Sequence, residues 1–94
     1  TIATELAPFG ITVNALLPGV HQTARIDQLL KDTAARENKP EEEVYQKMVD
    51  SIPCKTMGDP ADFGAAAAFL AGTRARYITG QNLLIDGGKY GGLL

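Results

Sequence analysis

Apolar positions along this chain fall into short blocks, some at helical spacing and some nearly continuous. Ile2, Leu6 and Phe9 recur at helical spacing before Pro8 and Gly10 break the pattern. Residues 1–7 therefore read as the last turns of a longer helix, the alternative being a short helix capped by Thr1. Ile11–Leu17 follows as a run of β-branched and apolar residues, ended by Pro18-Gly19. That is the pattern of a buried strand. Its continuity, without polar alternation, predicts a parallel sheet covered on both faces.

Residues 23–37 place Ile26, Leu29, Leu30 and Thr33 on one helical face, up to the break at Asn38-Lys39-Pro40. Pro40 suits a first helical position, and Glu41, Glu42 and Glu43 load the next helix start with the charge its dipole favours. Val44, Met48 and Ile52 form a stripe along that helix, with Tyr45 and Val49 beside it, and Pro53 ends it. After a connector, Asp59 is a good N-cap and Pro60 a good first residue for a helix running to Ala71, with Gly72 as its C′ residue. The small residues Ala65–Ala68 would let this helix approach a sheet or another helix closely. Gln81–Ile85 reads as a second short strand, closed by Asp86-Gly87-Gly88, and the tail runs from Lys89 to Leu94. The order is helix end, strand, three helices, strand. A strand–helix–strand crossover makes the two strands parallel, and the fold class is α/β.

Composition narrows the function classes. The 94 residues carry 9 Lys and Arg against 11 Asp and Glu, a net charge of −2. The basic residues form no stripe, so the electrostatic footprint of a nucleic-acid binder is missing. No apolar run approaches the roughly 18 residues of a membrane helix. One cysteine, Cys54, excludes an internal disulfide, and one histidine, His21, argues against a zinc site. A reducing, cytoplasmic setting fits this cysteine usage. The length suits one domain at most.

In open α/β sheets ligands bind beyond the carboxyl ends of the strands. Two glycine-bearing segments qualify: Pro18 to Thr23 and Asp86 to Gly88. Thr23 fits the N-cap of the next helix, and a helix start with free N–H groups also suits an anion; the two roles are compatible. His21 is a candidate general base, although no nucleophile partners it, and a satisfied or solvated imidazole is the alternative. Cys54 beside Lys55 is either a reactive thiol or an inert loop thiol. Asp86 is either a ligand contact or a turn residue bonded to its own backbone. Neither G-x-G-x-x-G nor a Walker loop occurs.

Taken together, four segments resemble the C-terminal third of the short-chain dehydrogenases/reductases. Glu5 to Asn14 followed by Pro18-Gly19 resembles the passage from that family's catalytic helix into its sixth strand. Pro18-Gly19 with Thr23 resembles its Pro-Gly-x-x-x-Thr cofactor segment. Ile52-Pro53 and Met57 to Asp62 resemble the loop before its last major helix. Tyr77 to Gln81 with Ile85 to Gly88 resembles its last strand. The resemblance implies the C-terminal part of a Rossmann-type doubly wound parallel sheet, with residues 1–94 forming the end of a single dinucleotide-binding domain. It implies an NAD- or NADP-dependent oxidoreductase acting on a small carbonyl or alcohol substrate, with homo-oligomerisation expected and neither nucleic acid nor membrane as partner.

The family's roles fall residue by residue. Pro18, Gly19 and Val20 would meet the nicotinamide carboxamide. Thr23 would meet carboxamide or pyrophosphate oxygens, and residues 24–52 would form the substrate lid. Asn14, Gly80 and Asp86 would be structural. The family's glycine-rich loop and its catalytic serine, tyrosine and lysine precede this segment. None of Tyr45, Tyr77 and Tyr90 has a lysine four residues on, so no catalytic residue is assigned and the 94 residues alone are expected to be inactive. Lys55-Thr56 replaces the usual Gly-Arg and Val20 a frequent aromatic, which leaves the subfamily open. A non-catalytic piece acting by association is the alternative reading.

Overall fold

A computed structural model describes residues 1–90. Helix α1 spans Ile2–Leu6, and the Thr1 hydroxyl caps it by accepting the Thr4 N–H at 3.2 Å. A 3-10 turn over Ala7–Phe9 follows. Strand β1 is Ala15–Pro18, helix α2 is Ala24–Glu37, α3 is Glu41–Asp50, α4 is Pro60–Ala71, and strand β2 is Asn82–Ile85. The strands pair in parallel, Ala15 opposite Asn82 through Pro18 opposite Ile85. This is the expected α/β order.

The caps explain the helix starts. Thr23 accepts the Ile26 N–H at 3.3 Å, and Asp59 accepts the Ala61 N–H at 2.9 Å. Pro40 stands one place earlier than expected: its backbone is extended, so it caps α3 and Glu41 is the first helical residue. Gly72 also differs from expectation, ending α4 in an extended conformation and not in a left-handed C′ turn.

The first strand is shorter than the apolar run Ile11–Leu17 predicts. Gly80 adopts φ +72°, a conformation that L side chains avoid. That bend ends the regular ladder upstream of Ala15, leaving one backbone bond there, from the Gly80 N–H to the Val13 carbonyl at 2.8 Å. Side chains take over there. The Asn14 amide donates to the Ile78 carbonyl and its oxygen accepts the Gln81 N–H, both at 3.0 Å, while the Thr79 hydroxyl accepts the Val13 N–H at 3.0 Å.

Nor is the sheet covered on both faces. Thr12, Asn14 and Leu16 are half-buried, whereas Ile11, Val13 and Leu17 on the other face are exposed. Helix α4 buries none of its residues, and a groove of about 580 Å³ lies between its Leu70 and Ala71 and strand residue Leu16. The close helix–sheet approach expected from Ala65–Ala68 is therefore not made.

The core sits instead in the α2–α3 hairpin. Leu30, Val49, Ile52 and Met57 are buried together, with Val20, Ile26, Val44, Tyr45 and Met48 packed around them. Ile52 is 2% exposed, and burying such a side chain stabilises by roughly 1.5–3 kcal/mol. The molecule is elongated, 56 × 26 × 20 Å, with a radius of gyration of 17.2 Å. A compact chain of this length has a radius near ~12.4 Å. Its accessible surface is 6942 Å², against about 5,200 Å² for a compact domain of this mass.

Candidate functional site

The strand ends are held unusually close. The Gly19 N–H donates to the Ile85 carbonyl at 2.9 Å, and a Cβ at Gly19 would stand 2.5 Å from Asp86 Cβ and 2.7 Å from its Cα. Only a residue without a side chain lets β1 leave the sheet here. Asp86 turns inward on its own loop, its two oxygens accepting the Gly88 N–H at 3.0 Å and the Tyr90 N–H at 2.9 Å. It is a turn residue, the second of the two roles its sequence context allowed.

Beyond Gly19 the chain makes a one-residue parallel bridge with a distant loop, His21 opposite Gly58. The Gly58 N–H donates to the Val20 carbonyl at 2.9 Å, and the Gln22 N–H donates to the Gly58 carbonyl at 2.8 Å. Gln22 also bonds the Asp27 carboxylate in the first turn of α2. These contacts set the start of α2 beside the carboxyl end of the sheet.

The result is a cleft of about 600 Å³, formed by Pro18, Gly19, His21 and Thr23 on one side and by Ile26, Leu29 and Phe63 on the other, with Arg25 also on its wall. It lies at the place where open α/β sheets bind ligands. Of the four residues singled out from the sequence, Pro18, Gly19 and Thr23 line this cleft, while Val20 packs against the hairpin core and lines a smaller neighbouring cavity. Among the described residues the Val20 N–H has no hydrogen-bond partner.

His21 is buried, 8% exposed. Its Nδ1 is 3.0 Å from the Gly19 carbonyl, and its ring meets the Phe63 ring edge-on at 5.3 Å and 82°. Cys54 is exposed, and its backbone N–H donates to the Gly87 carbonyl at 3.0 Å. Arg25, Leu29 and Phe63 were not singled out from the sequence. Leu29 read there only as a helix-packing residue, and no spacing signal joins residue 63 to residue 21. Among the described residues no cluster of three or more His, Cys, Asp or Glu could hold a metal ion, and no helix is long and apolar enough to cross a membrane.

Comparison with known proteins places this geometry in a class. The family model described as Enoyl-(Acyl carrier protein) reductase matches residues 1–89. Diacetyl reductase [(S)-acetoin forming] of Staphylococcus aureus is 38% identical over 86 residues, covering 92% of this chain and 33% of the relative. The crystal structure of YwfH, an NADPH-dependent reductase involved in bacilysin biosynthesis, superposes with a TM-score of 0.87 at 36% identity, covering 98% of this chain and 35% of that one. A short-chain dehydrogenase family protein from Francisella tularensis superposes at 0.88 with 25% identity, over 94% of this chain and 36% of that one.

The two strands and their helices are thus part of a Rossmann-type sheet, in a class of oxidoreductases. The chain belongs to the short-chain dehydrogenase/reductase family. It spans about a third of the length of the curated relatives it matches.

Proposed function

We propose that the chain is the C-terminal part of an NAD- or NADP-dependent reductase that moves a hydride between a nicotinamide and a carbonyl or alcohol carbon. The observation that carries this reading is the cleft where β1 ends and α2 begins. Pro18, Gly19 and Val20 hold the nicotinamide carboxamide there, and Thr23 meets carboxamide or pyrophosphate oxygens. The donor set fits such a group: the Val20 N–H is without an internal partner among the described residues, and the Thr23 hydroxyl keeps its own hydrogen while accepting from Ile26. A bound nicotinamide supplies the redox chemistry, and the chain orients it and excludes water.

The α2–α3 hairpin, residues 24–52, acts as the substrate lid, with Ile26 and Leu29 presented to a small carbonyl or alcohol substrate. The serine, tyrosine and lysine that move protons belong to the upstream part of a longer polypeptide, which assembles as a homo-oligomer in the cytoplasm and binds neither nucleic acid nor membrane. The 94 residues alone are inactive. The exposed row Ile11, Val13 and Leu17 favours a second, compatible reading in which the isolated chain acts only by association.

The test has two arms. Titrating the isolated chain with NADH or NADPH gives no saturable fluorescence change. The full-length polypeptide oxidises NADH or NADPH in the presence of a panel of aldehydes and ketones. Tight binding by the isolated chain refutes the claim of inactivity, and a full-length polypeptide that binds neither dinucleotide refutes the reading as a whole.

A further inference from the structure

Arg25 carries an inference that rests on the nicotinamide reading and names the class of substrate. It is the one Lys or Arg on the wall of the cleft, no Asp or Glu lines that wall, and the surroundings include Pro18, Ile26, Leu29 and Phe63. Among the described residues no carboxylate pairs with it: the ion pair found there joins Lys39 to Glu37. On α2 the positions three and four further on are Gln28 and Leu29, neither of them acidic. Asp27 stands two residues on, off that face of the helix, and its carboxylate is bonded by Gln22. Near the start of α4, Asp59 is occupied as the cap that accepts the Ala61 N–H.

Helix stability does not account for this residue. A cation in the first turn of α2 opposes the helix dipole, which favours negative charge there. Its place does suit a ligand. Arg25 and Leu29 are four apart on one face of α2 and both line the cleft, Leu29 together with Ile26 forming the side that the proposed function gives to the substrate. A guanidinium offers parallel N–H donors that match the two oxygens of a carboxylate, and apolar walls beside the pair strengthen it. We propose that Arg25 pairs with a carboxylate on the substrate, which is therefore an oxo acid or a hydroxy acid whose carbon chain lies along Ile26 and Leu29. Arg25 is then a specificity-determining residue and takes no part in proton or hydride transfer.

The probes are pyruvate, levulinate and longer unbranched oxo acids, each against its methyl ester, which keeps the carbonyl and the chain but removes the charge. Steady-state kinetics are measured on the full-length polypeptide with NADH or NADPH. Hydrogen bonds to a charged group contribute about tenfold or more, so at least one acid should exceed its ester by that factor in kcat/KM, chiefly through KM. In Arg25→Gln the ratio falls to about one, and Arg25→Lys regains part of it. Arg25 is exposed, so neither variant disturbs the packing of the hairpin core. The dinucleotide phosphates are the other source of anionic oxygen, and calorimetry separates them. If Arg25→Gln weakens dinucleotide binding about tenfold and leaves the acid-to-ester ratio unchanged, Arg25 serves the cofactor and the substrate assignment is wrong. A native polypeptide that prefers none of the acids to its ester, or a preference that survives Arg25→Gln, also overturns the role of Arg25 while leaving the nicotinamide reading intact. Failure of both dinucleotides to bind overturns the two together.

Discussion

Replacing Gly19 with alanine tests whether the two strand ends are as tightly apposed as the structure requires. The new Cβ would lie 2.7 Å from the Asp86 Cα, which is backbone and cannot rotate aside. Relief means moving the end of β2 by several tenths of an ångström. That stretches the 2.9 Å bond from Gly19 to Ile85 and disturbs the Asp86 turn that holds Gly88 and Tyr90. Overpacking of this kind costs about 1–3 kcal/mol. With a urea slope of about 2 kcal/mol/M, a loss of ~2 kcal/mol lowers the midpoint by ~1 M. The assay is urea unfolding of the full-length polypeptide followed by circular dichroism. Gly64→Ala is the internal control. It lies within α4 with nothing within 4 Å of its would-be Cβ, so it should stabilise by about 1 kcal/mol. If Gly19→Ala leaves the midpoint unchanged or raises it, the close approach of Gly19 and Asp86 is wrong.

Asn14→Leu removes two bonds, to Ile78 and to Gln81, and should lower stability by about 1–3 kcal/mol; hydrogen exchange should show faster exchange of the Gln81 amide, and unchanged protection there would count against the bridge. Thr23→Ala takes the cap from α2 and should cost about 1 kcal/mol by thermal unfolding, whereas Thr23→Ser should restore nearly all of it. Ile52→Ala empties the centre of the hairpin core and should cost about 2–5 kcal/mol, read as a lower urea midpoint.

Helices α2, α3 and α4 were legible because their signals are local: a threonine, a proline or an aspartate at the start, and apolar stripes three and four apart. The parallel pairing followed from the order of elements alone. The length of β1 did not follow, since it depends on a backbone bend at Gly80 and on an amide bridge from Asn14, sixty-odd residues apart from their partners. Continuous hydrophobicity in Ile11–Leu17 predicted a strand buried on both faces, and the exposure of Ile11, Val13 and Leu17 departs from that. The cover they require is not among residues 1–90, and the relatives are about three times as long. Thr23 was visible as a cap with a second possible role. The setting of His21 was not, because a glycine thirty-seven positions later and a phenylalanine on α4 close around it, and no periodicity records either contact.

The bridge between His21 and Gly58 has a consequence for how such a polypeptide can vary. The hairpin between Thr23 and Ser51 is closed at its base by this clasp and by bonds from the Cys54 N–H to the Gly87 carbonyl and from Lys89 to Ser51. Closing a flexible insertion costs only about 0.6 kcal/mol more for each doubling of its length. The hairpin can therefore be lengthened or shortened while the clasp stays shut, so hairpin and scaffold can diversify at separate rates.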